Sequence, residues 1–136
     1  MSGTASASYP QAIVVAAREI RFDPALKTHH LEQVLNELTV PALPHIASCD
    51  LLIKFSLEDR ERDYLCEICV VDRNSRLLFT MPKTIRNVRP ENRPAGCDLS
   101  VRVPFLVEEE GEYAFEIIGP RGLIGRYLLY VREEGA

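Results

Sequence analysis

The one stretch whose residue types invite a ligand is residues 81–96, MPKTIRNVRPENRPAG. Lys83, Arg86, Arg89 and Arg93 stand there against a single acid, Glu91. Cations so placed, guanidinium groups above all, grip phosphate and carboxylate oxygens through charge-assisted hydrogen bonds. The set could therefore recognise a phosphate or a carboxylate-rich partner. RNA fits less well, because no aromatic side chain is interleaved to stack on bases. Against any ligand stands a plainer account, a solvated crossover whose cations offset an acidic surface. On sequence alone the plainer account carries more weight.

Cys66-Glu67-Ile68-Cys69 has the C-x-x-C spacing of redox and zinc sites. Such sites sit on loops or helix starts, where both sulfurs point one way. This pair lies inside an alternating apolar stretch, and residues three apart on a strand face opposite sides. Cys49 and Cys97 complete the four cysteines without forming a second close pair. Buried reduced thiols are the expectation, since no secretory signal opens the chain. His29, His30 and His45 offer no H-x-H or H-E-x-x-H spacing, so neither a metal nor a cofactor is expected. The acids at 59–63 and 108–110 read as solvated turns, not as a catalytic carboxylate pair. There is no glycine-rich phosphate loop and no G-x-S-x-G elbow, and neither Ser48 nor Ser56 has a characteristically spaced histidine. Because catalytic groups assemble from distant residues, a small thiol or metal-dependent enzyme stays as a further reading, with Cys66, Cys69 and His45 as its participants.

The elements that must position these residues read as strands. Residues 50–80 form the centre. Leu51, Ile53, Phe55 and Leu57 alternate with Asp50, Lys54, Ser56 and Glu58, the period of a half-buried strand. After the charged loop at 59–63, Cys66, Ile68 and Val70 share one face of a second strand. Asp72-Arg73-Asn74-Ser75 is a turn cluster, and a third strand begins at Arg76. Two antiparallel connections in succession predict a meander. Residues 11–22 favour a strand that Asp23-Pro24 stops. In residues 30–40, Leu31, Val34, Leu35 and Leu38 keep helical spacing, and periodicity alone predicts a helix of about two turns. Residues 81–96, with Pro82, Pro90 and Pro94, are expected to be an irregular crossover between sheets. Strands follow at 98–105, 112–118 and 123–132. In the last, Gly125, Tyr127, Leu129 and Val131 share one face. Leu128 and Tyr130 fall on the other, where they would supply an apolar patch for self-association.

Several of these residues also carry a resemblance. Asp23-Pro24, Thr39-Val40-Pro41 with Pro44, and Gly111 with Tyr113 and Phe115 are similar to a family of small bacterial all-β proteins of unknown function. The resemblance covers most of the chain after Pro10. It implies a β-sandwich in which residues 30–40 are a strand. The family has no assigned catalytic residues, so no functional residue is carried over.

The totals are compatible with this picture. At 136 residues and 46% hydrophobic, the chain suffices for one sandwich domain at 11–133 behind a flexible tail at 1–10. A net charge of −4 and a pI near 5.4 weigh against nucleic acid or an anionic membrane as the main partner. No apolar run approaches the roughly 18 residues of a membrane span, and a cytoplasmic location is expected. The fold expectation is an all-β, two-sheet β-sandwich, immunoglobulin-like or a related Greek key, with seven or eight mostly antiparallel strands. The leading functional expectation is a non-enzymatic binding or assembly module with a protein partner or a second copy of itself. The alternative is an anion-binding domain that uses residues 83–93.

Overall fold

The computed structural model describes residues 10–135. They form nine strands: β1 (Gln11–Asp23), β2 (Thr28–Val34), β3 (Glu37–Val40), β4 (His45–Ser56), β5 (Tyr64–Val71), β6 (Leu77–Ile85), β7 (Gly96–Val107), β8 (Gly111–Gly119) and β9 (Gly122–Glu133). One sheet has the order β2-β1-β4-β7 and the other β3-β9-β8-β5-β6. All pairings are antiparallel except that of β3 with β9. Alternation produces the core. Leu51, Ile53 and Phe55 from β4 and Val103, Phe105 and Val107 from β7 face inward from the first sheet. Cys66, Ile68 and Val70 from β5 meet them from the second, with Phe115, Ile117 and Leu129. Phe105 and Phe115 close the gap edge to face, their centroids 5.6 Å apart. At the start of β8, the Tyr113 hydroxyl donates to the Glu109 carbonyl at 2.6 Å, the tyrosine corner of Greek-key sandwiches. The fold is thus the all-β sandwich expected, of immunoglobulin-like kind.

Four expectations need correction. The meander does not form: β4 and β5 lie in different sheets, and of its two expected connections the one between β5 and β6 is a hairpin while the one between β4 and β5 is not. Both edges of β4 are already taken, by β1 and β7, so residues 57–63 must carry the chain across to the other sheet. Residues 30–40 are neither a helix nor one strand. β2 pairs with β1 in the first sheet and β3 with β9 in the second, and the break between them is why there are nine strands, not seven or eight. The helical spacing arises because Leu31 packs beneath one sheet while Leu35 and Leu38 pack into the core between the two. Finally, residues 81–85 extend β6 instead of opening a loop. Pro82 is tolerated because β6 is an edge strand, where a missing N–H costs least. The irregular crossover is residues 86–95. The tail expected at 1–10 lies outside the described residues, apart from Pro10, which is buried.

One departure from regular pairing shapes the surface. β1 follows β4 only as far as Ala17, opposite Asp50; the same register would set Phe22 against His45. Instead the Ile20 N–H donates to the buried Asp50 carboxylate at 2.9 Å. Ile20 and Leu31 pack with Ala17 and Leu52, apart from the main core. Leu52 points away from the core-facing Leu51 and Ile53, so residues 18–33 form a hairpin arm folded over the outer face of the first sheet. The arm ends near Lys54 and Asp98, not beside His45.

Candidate functional site

The arm and the 86–95 crossover are the two walls of a cleft of about 670 Å³. Its floor is one rung of the first sheet, Lys54 of β4 opposite Asp98 of β7. That rung is held close because β7 begins at Gly96, where an added Cβ would lie 2.3 Å from the Phe55 carbonyl oxygen. From the arm come Phe22, Lys27 and His29, and from the crossover Val88, Arg89 and Arg93. Four cations therefore face one carboxylate.

Local sequence explains each wall. At the tip of the arm, Asp23 Oδ1 accepts the N–H groups of Ala25 at 2.9 Å and Leu26 at 3.2 Å, a side-chain-made turn. Lys27 follows with φ of 55°, in the left-handed region. In the crossover, Asn87 acts as a staple. Its Oδ1 accepts the N–H of Arg89 at 3.0 Å and of Gly96 at 2.9 Å, while its Nδ2 donates to the Arg89 carbonyl at 3.0 Å. From the 57–63 connection, Arg60 reaches across and donates to the carbonyls of Arg89, Glu91 and Arg93. The crossover is thus fastened by side chains bonded to its own backbone and to the first residue of β7, and its conformation is set before any ligand arrives.

Asp98 orients the floor. Its carboxylate stands 2.8 Å from Arg89, 3.0 Å from Lys54 and 4.0 Å from His29 Nδ1. Lys27 and Arg93 make no ion pair among the described residues, so the charge directed into the cleft is mainly theirs. The cavity beside the 72–75 turn is different. Its cation, Arg76, is paired with Asp72 at 3.5 Å and with Glu108.

The expected basic set is divided by the structure. Arg89 and Arg93 line the cleft. Arg86 instead pairs with Asp63 at 3.0 Å. Lys83 sits half-buried on β6 opposite Cys66, on the inner face of an edge strand. Lys27, Lys54, His29 and Asp98 were not in the expected set. Lys54 and Asp98 carried one usable signal, since both fall on the outward side of their alternating strands. Lys27 carried none.

The C-x-x-C pair diverges as expected. Cys66 enters the core, while Cys69 lies on the outer face with its sulfur 3.7 Å from Thr80 Oγ1. Among the described residues no three histidine, cysteine or acidic side chains gather in a way that could hold a metal ion, and Cys66, Cys69 and His45 do not come together. Burial pushes the Cys66 thiol up to about 11, with Cys97 adding to it. Among the described residues no helix is long and apolar enough to cross a membrane.

Leu128 and Tyr130 are each 45% exposed on the outer face of the second sheet. Leu128 stands in a rung with Ala114, Val71 and Leu77, apolar across four strands. Ion pairs flank it, Arg126–Glu116 at 3.4 Å and Arg132–Glu37 at 3.2 Å.

No family model and no curated protein matches the chain. Solved structures are similar to it. An immunoglobulin-like protein from Pseudomonas aeruginosa is 10% identical and superposes with a TM-score of 0.44 over 94% of this chain and 100% of that one. A family 2 glycosyl hydrolase from Bacteroides cellulosilyticus is 11% identical, with a TM-score of 0.45 over 74% of this chain. A β-glucosidase from Listeria innocua, in complex with gluconolactone, is 11% identical with a TM-score of 0.45 over 94% of this chain. The chain spans only 15% and 17% of the length of these two glycosidases. These likenesses concern the fold alone.

Proposed function

We propose that the protein is a non-enzymatic binding module that takes a small anion in the cleft between the arm and the crossover. The observation that supports this reading is the convergence of Lys27, Lys54, Arg89 and Arg93 on one fastened cleft with a single carboxylate. Asp98 holds Lys54 and Arg89, and the Asn87 and Arg60 contacts fix the backbone that carries Arg89 and Arg93, so little of the crossover wall has to be ordered when an anion arrives. Their hydrogen bonds to it are charge-assisted. The test is calorimetric titration of the full chain with pyrophosphate at low salt. Saturable binding that weakens as salt rises is expected, and Lys27→Ala with Arg93→Ala should weaken it at least about tenfold, or about 1.4 kcal/mol. Lys83→Ala with Arg86→Ala should leave it nearly unchanged. Binding by the first double variant equal to that of the parent chain would reject the reading.

A second reading is favoured by the apolar rung at Leu128: self-association through the outer face of the second sheet. It uses a different surface and is compatible with the first.

A further inference from the structure

Resting on the anion-binding reading, we infer that the ligand of the cleft is an amphipathic small molecule, an anionic head joined to an aromatic or apolar body. The two kinds of lining residue support this. The head would meet Lys27 and Arg93, the cleft cations without an ion pair among the described residues, while Lys54 and Arg89 are already engaged by Asp98. The body would meet Phe22 and Val88. Both line the cleft, and at 53% and 69% exposed they offer apolar surface that a bound ligand would cover. The Phe22 ring packs against His29, centroids 5.0 Å apart and planes tilted by 49°. Pro90 extends the same apolar wall. Size agrees. About 670 Å³ falls within the roughly 300–1,000 Å³ of small-molecule sites. A bare phosphate would leave most of it to water, and both apolar side chains uncovered.

Three probes on the full chain test this: inorganic phosphate, phenyl phosphate and benzyl alcohol, followed by amide chemical shifts. Phenyl phosphate should bind at least about tenfold more tightly than inorganic phosphate, equivalent to about 1.4 kcal/mol. Benzyl alcohol, with a ring but no charge, should bind far more weakly than phenyl phosphate. Phe22→Ala with Val88→Ser should abolish the preference for the aryl anion, read as the ratio of the two anion affinities within the one variant. Both side chains are exposed, so the variant should fold, and circular dichroism checks that. Equal affinity for the two anions, or a preference that survives this variant, would overturn the inference while leaving the anion-binding reading standing. Failure of both anions to bind would overturn both. A phosphotyrosine peptide that binds tenfold more tightly than phenyl phosphate would overturn the assignment to a free small molecule.

Discussion

Burial decides the chemistry of the cysteines. The Cys49 thiol is pushed up to about 12, chiefly by burial and then by the neighbouring Asp50 carboxylate. Cys66 reaches about 11 for the same leading reason. Burial also raises Cys69 and Cys97. Reactive cysteines show the opposite, a thiolate favoured by nearby positive charge. The consequence for stability has a definite sign. Above the ordinary thiol value of 9.0, unfolded chains lose these protons while the folded chain keeps them. The folded state then binds more protons than the unfolded one, so stability falls as pH rises. The urea midpoint should be lower at pH 10.5 than at pH 8, and Cys66→Ala should reduce the difference. Tyr113 and Tyr127, also raised mainly by burial, act in the same direction. A midpoint that does not move between the two pH values would contradict this account.

Among the elements, the arm is fastened by one buried polar contact beside the packing of Ile20 and Leu31 on Leu52. Asp50 accepts the Ile20 N–H and holds Arg102 at 3.2 Å, and Arg102 reaches Ser48 at 3.1 Å. Removing the carboxylate leaves a buried N–H without a partner, at a cost of about 1–3 kcal/mol. Asp50→Ala should therefore lower stability by that amount, and Asp50→Asn, which keeps an acceptor, by less. Hydrogen exchange in residues 18–33 should quicken in the alanine variant before it does elsewhere. Exchange that quickens uniformly would mean the carboxylate supports the whole sheet and not the arm. The edge strand β6 shows a related economy. Pro82 withholds a donor, and Lys83 sets a charge on the inner face, both of which discourage pairing with another chain's strand.

For the whole molecule, a basic cleft sits on a chain of net charge −4. On the proposed anion-binding reading, such a local reversal of sign would draw small anions to one place while the rest of the surface repels them. The outer face of the second sheet offers a different kind of contact. If the rung of Leu128, Ala114, Val71 and Leu77 mediates self-association, light scattering should show a mass that doubles with concentration. Leu128→Glu with Tyr130→Ser should return it to the monomer. A mass that stays monomeric up to millimolar concentration would set that reading aside and leave the cleft as the binding surface.

Local patterns determined much of the architecture. The inward sets at Leu51, Ile53 and Phe55, at Cys66, Ile68 and Val70, and at Leu129 and Val131 follow from a two-residue period, which is written along the chain. The 72–75 turn and the divergence of Cys66 from Cys69 follow from the same local rules. Which strands became neighbours was decided only by tertiary packing. Nothing local distinguishes a loop at 57–63 that turns back from one that crosses between sheets. Residues 30–40 looked helical because apolar side chains destined for two different layers happened to fall at helical spacing. Most of the cleft was invisible for the same reason. Asp50 read as an outward acid on an alternating strand, yet its buried carboxylate fastens the arm that brings Phe22 and Lys27 over Lys54 and Asp98. A cation's sequence neighbours do not reveal which charge it will face, because that depends on pairings between residues far apart in the chain.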